Sequence, residues 1–68
     1  NNLISYVTEL RLEKARELLS DMQYSISEVA ALSGYSDAKY FAKLFKKKMG
    51  STPSEYRNLI IQGGIDGN

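Results

Sequence analysis

Residues Ser25 to Gly50 read SISEVAALSGYSDAKYFAKLFKKKMG and contain the clearest structural signals of this chain. This stretch contains two runs of helix-forming residues that are separated by a short polar segment. Ser25 begins the first run and Glu28 follows three residues later, which is the spacing of a capping box at a helix N-terminus. Gly34 follows the run and can adopt the left-handed backbone that ends a helix. The segment therefore predicts a helix over about residues 26–33 and a turn at Gly34.

The second run has one apolar face and one basic face. Ser36 or Asp37 can cap its N-terminus and Gly50 can end it, so we predict a helix over about residues 37–48. Residues three and four apart share a face of a helix, so the large apolar side chains form one stripe: Tyr40, Phe41, Leu44 and Phe45. The opposite stripe is formed by Ala38, Lys39, Ala42, Lys43 and Lys46. Burial of the apolar stripe, at about 2 kcal/mol for each side chain, would hold the basic face outward.

Helices are also predicted on both sides of this stretch. Residues from about 3 to 20 include neither Gly nor Pro and predict one long helix. The segment STPSEY repeats the start signal with a cap, a proline at the first helical position and the acid of a capping box: Thr52, Pro53 and Glu55. It predicts a closing helix over about residues 53–61, and residues 62–68 are expected to form a flexible tail. No segment alternates with period two, so the predicted fold class is all-α.

The charge of the chain is distributed unevenly. The net charge is +1, but residues 1–37 have three basic and six acidic residues, whereas residues 38–60 have six basic residues and one acid. No acid occurs between Ala38 and Ser54. The lysines could simply make a helix surface soluble, although a purely solvated face usually mixes both signs of charge. We interpret the basic face as a surface for a local anionic partner.

The composition makes several classes of protein poor candidates. The chain has no Cys and no His, which removes disulfides and ordinary zinc sites. It also has no glycine-rich phosphate loop and no paired acids outside a solvated helix face, so we predict no catalytic residues, no metal and no cofactor. No apolar run approaches the roughly 20 residues that cross a bilayer, and no signal peptide is visible. We expect a cytoplasmic protein without a membrane partner.

A short helix, a glycine turn and a second helix with a basic outer face form a helix-turn-helix. The major groove of DNA admits one α-helix, while the supporting helix lies across the backbone. Lysine can donate to guanine O6 and N7, alanine can touch a thymine methyl, and the N-terminus near Ser25 and Ser27 offers N–H groups to a phosphate. Double-stranded DNA is therefore the expected partner. Unpaired RNA fits less well, because the basic face has no aromatic residues for stacking.

Two segments resemble the DNA-binding domain of AraC/XylS-type transcription regulators: YVTELRLEKARELL and SISEVAALSGYSDAKYFAKLFKKKMGSTPSEYR. The resemblance is to the C-terminal half of that domain and covers about residues 2–58. In that family a long linker helix joins two helix-turn-helix units that enter successive major grooves. The resemblance implies that residues 3–20 are the linker helix and residues 26–48 the second unit. It also implies a parent protein with a first unit before the linker and a regulatory domain.

The resemblance further implies roles for individual positions of the recognition helix. The positions that match base-facing ones are Ala38, Lys39, Ala42 and Lys43. Lys46 matches a backbone-facing position, and Lys47 and Lys48 beside it are expected to approach phosphates at most. With the two serines at the helix N-terminus described above, the expected DNA backbone contacts are Ser25, Ser27, Lys46 and Lys47. Arg11, on the long helix, could reach DNA or simply lie at the surface.

The long helix has two apolar stripes rather than one. The first consists of Leu3, Tyr6, Val7 and Leu10, and the second of Leu12, Ala15, Leu18, Leu19 and Met22. Their centres differ by roughly 135° around the helix. We expect the helix to serve two bodies, of which this chain contains the second; the alternative is broad burial by one small core. The first stripe would then be exposed, and we expect either self-association through residues 3–10 or fraying of this end of the helix.

The first stripe also allows a second interpretation of the function. The chain could be a protein-interaction module that presents the stripe of Leu3, Tyr6, Val7 and Leu10 to a partner helix. Salt distinguishes this function from DNA binding, because DNA binding weakens steeply with salt and apolar association does not.

The tyrosines near the helix-turn-helix are expected to be core aromatics with hydroxyls near the surface: Tyr35, Tyr40 and Tyr56.

Overall fold

The computed structural model describes residues 2–62 and contains four α-helices, with no strand in that range. They are α1 (Asn2–Leu19), α2 (Ile26–Leu32), α3 (Ala38–Met49) and α4 (Pro53–Ile61). The all-α prediction is confirmed, and each helix begins and ends within one residue of its predicted position. The expected tail over residues 62–68 lies outside the described residues apart from Gln62.

Both predicted capping boxes are present. The Ser25 hydroxyl accepts a hydrogen bond from the Glu28 N–H at 3.1 Å, and the Glu28 carboxylate accepts one from the Ser25 N–H at 2.8 Å. At the start of α4 the Thr52 hydroxyl accepts from the Glu55 N–H at 3.1 Å, and the Glu55 carboxylate accepts from the Thr52 N–H at 2.9 Å. The boxes satisfy N–H groups that a helix N-terminus otherwise leaves without partners, so they fix where α2 and α4 begin.

The turn between α2 and α3 depends on Gly34. Its φ is +102°, a left-handed backbone that strains any residue with a Cβ. The Gly34 N–H donates to the carbonyl of Ala31 at 3.1 Å, and the Tyr35 N–H donates to that of Ala30 at 2.9 Å. This pair of bonds is the Schellman motif, and it directs the chain sharply out of α2. The buried side chains of Tyr35 and Ala30 complete the motif.

One core joins the C-terminal half of α1 to the other three helices. Its buried apolar members are Leu12, Ala15, Leu19, Val29, Ala30, Tyr35, Phe41 and Phe45. The two phenylalanines of α3 are fully buried, and their ring centroids are 5.7 Å apart. The second predicted stripe of α1 therefore faces this core through Leu12, Ala15 and Leu19.

Two residues of the stripes that were expected to face the core lie at the surface, so their predicted burial is wrong. Tyr40 is 55% exposed, because the interior beside the first turn of α3 is filled by Tyr35, whose ring centroid is 6.1 Å away. Met22 is 49% exposed, because α1 ends at Leu19 and helical spacing no longer places Met22 on the buried face.

The closing helix is fixed to the end of α1 by an arginine. The Arg57 guanidinium donates to the carbonyls of Leu19 at 2.9 Å and Asp21 at 3.1 Å. A cation at a helix C-terminus is favoured by the partial negative charge of the free carbonyls. Nearby, Arg16 donates to the Tyr56 hydroxyl at 3.5 Å, and this contact raises the pKa of Arg16 above its ordinary value.

The N-terminal half of α1 extends beyond this core. Its exposed apolar side chains are Leu3, Ile4, Tyr6, Val7 and Leu10. Leu3 is 73% and Val7 is 38% exposed, so the first stripe lies at the surface of residues 2–62, as expected. Ile4 extends this patch beyond the predicted stripe. The alternative, in which one small core buries α1 broadly, is wrong.

Candidate nucleic-acid interface

The first turn of α3 is fixed by Asp37. Its carboxylate accepts hydrogen bonds from the N–H groups of Lys39 at 2.9 Å and Tyr40 at 3.3 Å. Of the two predicted caps, Asp37 is therefore the one used. The backbone of the turn and the Asp37 cap together determine the position of Lys39 in the first turn of α3.

The rotation of α3 about its axis is fixed by its two buried rings. Phe41 and Phe45 lie in the core, which turns the opposite side of the helix to solvent. Lys39, Lys43 and Lys46 are exposed on that side. The helix carries five lysines and no acid, so its outer face presents positive charge alone. We name the surface formed by Lys39, Lys43 and Lys46 the basic face.

The alanines of α3 border the basic face and are partly covered. Ala42 is half-buried beside Lys39 and Lys43, and Ala38 is half-buried against the core. Because alanine side chains are small, a flat surface can approach the helix backbone closely at these positions. The area that Ala38 offers to a partner is smaller than the sequence pattern suggested.

Lys48 lies on a different side of α3 from the basic face. It lines a groove of about 260 Å³ between α1 and α3, together with Glu9, Glu13 and Arg16 of α1. The two acids attract its charge and Arg16 repels it. The expectation that Lys48 approaches phosphates beside Lys47 finds no support in this position. Lys47 is exposed.

The two serines at the start of α2 are both exposed, but they are not equivalent. The Ser25 hydroxyl is already used as the acceptor of the capping box. It can still donate its own proton to an oxygen. Ser27 lies within the first turn of α2. The structure thus leaves both serines accessible to a polar partner, while Ser25 also holds the helix end.

Arg11 occupies a position that sequence reasoning left open. Its guanidinium lies over the ring of Tyr35, 5.2 Å from the centroid, in the geometry of a cation–π contact. The contact joins α1 to the turn that precedes α3. No sequence pattern predicts this contact, because the two residues are far apart along the chain and local motifs do not connect them.

Within residues 2–62 no group of three His, Cys, Asp or Glu side chains is placed to hold a metal ion. None of the four helices is both long and apolar enough to cross a membrane.

The chain is similar to a helix-turn-helix family and to several bacterial proteins. A family model described as a helix-turn-helix domain matches residues 1–59. Histidine kinase P4 of Formosa agariphila is 40% identical over 53 residues, which are 78% of this chain and 4% of that protein. The MmsAB operon regulatory protein of Pseudomonas aeruginosa is 40% identical over 60 residues, 88% of this chain and 20% of that protein.

The HTH-type transcriptional activator RhaR of Mannheimia succiniciproducens is 38% identical over 60 residues, 88% of this chain and 22% of that protein. The chain spans less than a quarter of the length of each of these relatives. No solved structure gives a significant match to the chain.

Proposed function

The chain belongs to the AraC/XylS-type helix-turn-helix family of transcription regulators, and we propose that it reads DNA sequence by placing α3 in the major groove. The observation that carries the proposal is the basic face: three exposed lysines held outward by two fully buried phenylalanines. We further propose that the chain is the DNA-binding part of a bacterial regulator and acts in the cytoplasm by binding rather than by catalysis.

The proposed mechanism separates affinity from specificity. Lys46, Lys47 and the serines of the α2 N-terminus neutralise or hydrogen-bond phosphates, which supplies affinity and fixes the register on the duplex. Lys39 and Lys43 donate to guanine O6 and N7, and Ala38 and Ala42 contact thymine methyl groups. A lysine reads bases less strictly than an arginine, because it is a point charge without a planar pair of donors.

The exposed apolar patch of α1 supports a second part of the proposal. We define the α1 patch as Leu3, Ile4, Tyr6, Val7 and Leu10. We propose that in the parent protein it packs against the first helix-turn-helix unit that the family resemblance implies. Exposed apolar patches mark interaction sites, and this one lies on the helix that would link the two units. The parent is also proposed to have a regulatory domain.

A different function is favoured by the same patch. The chain could be an interaction module that binds a partner helix through Leu3, Tyr6, Val7 and Leu10 without any nucleic acid. In that case association would change little with salt, whereas log affinity for B-DNA falls with log salt at a slope of about −0.9 for each phosphate contacted. A binding measurement at several salt concentrations separates the two functions.

The proposal is tested on the lysines assigned to bases. We expect Lys39→Ala and Lys43→Ala each to lose about 1–3 kcal/mol on a preferred site and to discriminate less between that site and others. The preferred site is first selected from random duplexes with the wild-type chain. Fluorescence anisotropy with unlabelled competitor duplexes then gives the affinities for selected and random DNA.

Lys14→Ala serves as the matched control, because it removes one exposed lysine from α1 instead of α3. It should leave discrimination unchanged. If Lys39→Ala and Lys43→Ala both keep wild-type discrimination, α3 is not the recognition helix.

A further inference from the structure

Arg11 lies at the point where α1 changes from an exposed to a buried helix. Leu10, the last residue of the α1 patch, precedes it, and Leu12, the first core residue of α1, follows it. Its guanidinium covers the Tyr35 ring at 5.2 Å from the centroid. A Cβ placed on Gly34 would be 3.1 Å from the Arg11 Nε, so the side chain also crosses directly over the backbone of the turn.

The ring under Arg11 is held firmly by the interior. Tyr35 is buried, its N–H donates to the Ala30 carbonyl at 2.9 Å, and its ring centroid is 5.6 Å from that of Phe41. From Phe41 the aromatic row continues through Phe45 to Tyr56, with centroids 5.7 and 5.6 Å apart. The row connects the turn, α3 and α4.

The first helix touches this row at both ends. Arg11 lies over Tyr35 at one end, and Arg16 donates to the Tyr56 hydroxyl at 3.5 Å at the other. The backbone of α1, in contrast, packs mainly against α2 and α4. A planar guanidinium can stack on an aromatic ring, which makes Arg11 a side-chain link from α1 to the turn that leads into α3.

The guanidinium faces away from the basic face. It opens on a groove of about 520 Å³ whose α3 side is formed by Tyr40, Leu44 and Lys48. Lys48 is nine residues from Lys39, which is about two and a half turns and therefore the opposite side of the helix. If the basic face binds the bases of a DNA duplex, Arg11 lies on the other side of α3 and does not contact those bases.

We propose that Arg11 is a positioning residue of DNA recognition, which fixes the angle of α3 relative to α1 through Tyr35 and the Gly34 turn and is not itself a phosphate ligand. This inference rests on the proposed DNA binding. It predicts that loss of the guanidinium loosens the turn and weakens the preference for one DNA sequence over others. The salt dependence of the affinity should stay the same.

The DNA experiment uses Arg11→Met, which keeps the stem and removes the guanidinium, and Arg11→Lys, which keeps the charge. Lys14→Met is the control that removes one exposed charge from the same helix. We expect Arg11→Met to lower the ratio of affinities for selected and random duplexes about 2- to 5-fold, the factor that corresponds to an exposed cation–π contact. Its salt slope should equal that of the wild type, and Lys14→Met should keep the wild-type ratio. Arg11→Lys should fall between Arg11→Met and the wild type.

A DNA-free measurement tests the contact itself. We expect amide hydrogen exchange of Gly34 and Tyr35 to become about 2- to 5-fold faster in Arg11→Met, because the turn opens more often. The Tyr56 amide, which donates to the Thr52 carbonyl at 2.8 Å, should exchange as in the wild type.

The outcomes separate the inference from the function on which it rests. If the wild-type chain shows no sequence preference, the proposed function fails and the inference fails with it. If the preference is present but Gly34 and Tyr35 exchange at wild-type rates in Arg11→Met, only the inference is overturned. A salt slope that falls by about one unit in Arg11→Met also overturns it, because Arg11 would then be a phosphate ligand.

Discussion

In the proposed complex, individual lysines of α3 have different roles according to their position around and along the helix. Lys46 lies on the basic face nearly two turns beyond Lys39, where we expect it to meet the DNA backbone rather than the bases. Lys48 carries the same charge but faces Glu9 and Glu13 of α1. Lys46 is also near an acid, because its charge helps to lower the pKa of Glu55. The two lysines therefore differ mainly in the side of α3 on which they lie.

We expect Lys46→Ala to weaken binding to all DNA sequences alike and to reduce the salt slope by about one unit. Lys48→Ala should reduce the slope by less, because its ammonium is on the α1 side. Anisotropy titrations of one random duplex at four salt concentrations measure both slopes. Equal slopes for Lys46→Ala and the wild type would mean that Lys46 is only a solvated surface lysine.

The two glycines with positive φ give a second comparison between residues. Gly34 and Gly50 have φ of +102° and +89°, but only Gly34 has a side chain of another helix within contact of a Cβ. Gly50→Ala should lose about 1–2 kcal/mol for the left-handed backbone. Gly34→Ala should lose about 0.5–1 kcal/mol more, because the new methyl displaces Arg11 from Tyr35.

Urea unfolding of both glycine variants measures the difference. Equal losses would show that the Arg11 side chain moves aside without cost, which would weaken the case for a fixed contact at the turn.

The N-terminus of α4 makes the stability of the fold depend on pH. The hydrogen bond from the Thr52 N–H is the main cause that lowers the pKa of Glu55 below its ordinary value of 4.5. The folded state thus favours the ionised carboxylate. Its stabilising contribution is complete above pH 4.5 and is lost as the pH falls through the lower pKa of the folded state.

We expect the free energy of unfolding of Glu55→Gln to fall less than that of the wild type between pH 6 and pH 3, a range of about one and a half units to either side of this ordinary value. Glu17→Gln, which changes an exposed acid of α1, is the control and should follow the wild type. Urea unfolding monitored by circular dichroism at each pH gives the curves. Parallel curves for Glu55→Gln and the wild type would rule out this carboxylate as a source of acid sensitivity.

How much of each element could be predicted depended on how local its determinants are. Ser25 with Glu28 and Thr52 with Glu55 are three residues apart, so the sequence alone located the helix starts. The basic face was predictable because helical spacing connects it to Phe41 and Phe45. Tyr40 was misplaced because the space it would fill is occupied by Tyr35, and helical periodicity cannot show which of two neighbouring rings is buried.

The contacts of the arginines were beyond the reach of sequence patterns. Arg57 bonds to carbonyls 38 and 36 residues away, and Arg16 to a hydroxyl 40 residues away. Such pairs depend on the relative position of α1 and α4, which periodicity does not determine. The opposite sides taken by Lys46 and Lys48 were implicit in helical spacing, but the acids that face Lys48 were not.

The chain combines a packed four-helix unit with an exposed end of α1. Truncation of an apolar side chain in that end should have different consequences from truncation in the core. We expect Leu3→Ser/Val7→Ser to lose less than about 1 kcal/mol of unfolding free energy, as surface substitutions do, and to reduce self-association of the chain.

Leu12→Ala is the contrasting variant, and its loss should be about 2–5 kcal/mol because Leu12 is buried. Sedimentation velocity gives the size of each variant and urea unfolding its stability. A loss above about 3 kcal/mol in Leu3→Ser/Val7→Ser would place the α1 patch inside a core and contradict its exposure.

The continuity of α1 across Arg11 has a consequence for the DNA that a parent protein could recognise. Each residue of an α-helix adds about 1.5 Å of length and about 100° of rotation. A body bound to the α1 patch is therefore held at one distance and one rotational phase relative to α3. B-DNA repeats its own grooves about every 10–10.5 base pairs. The number of residues in α1 would thus dictate the spacing between two sequence elements that are read together, and one inserted residue would put them out of phase.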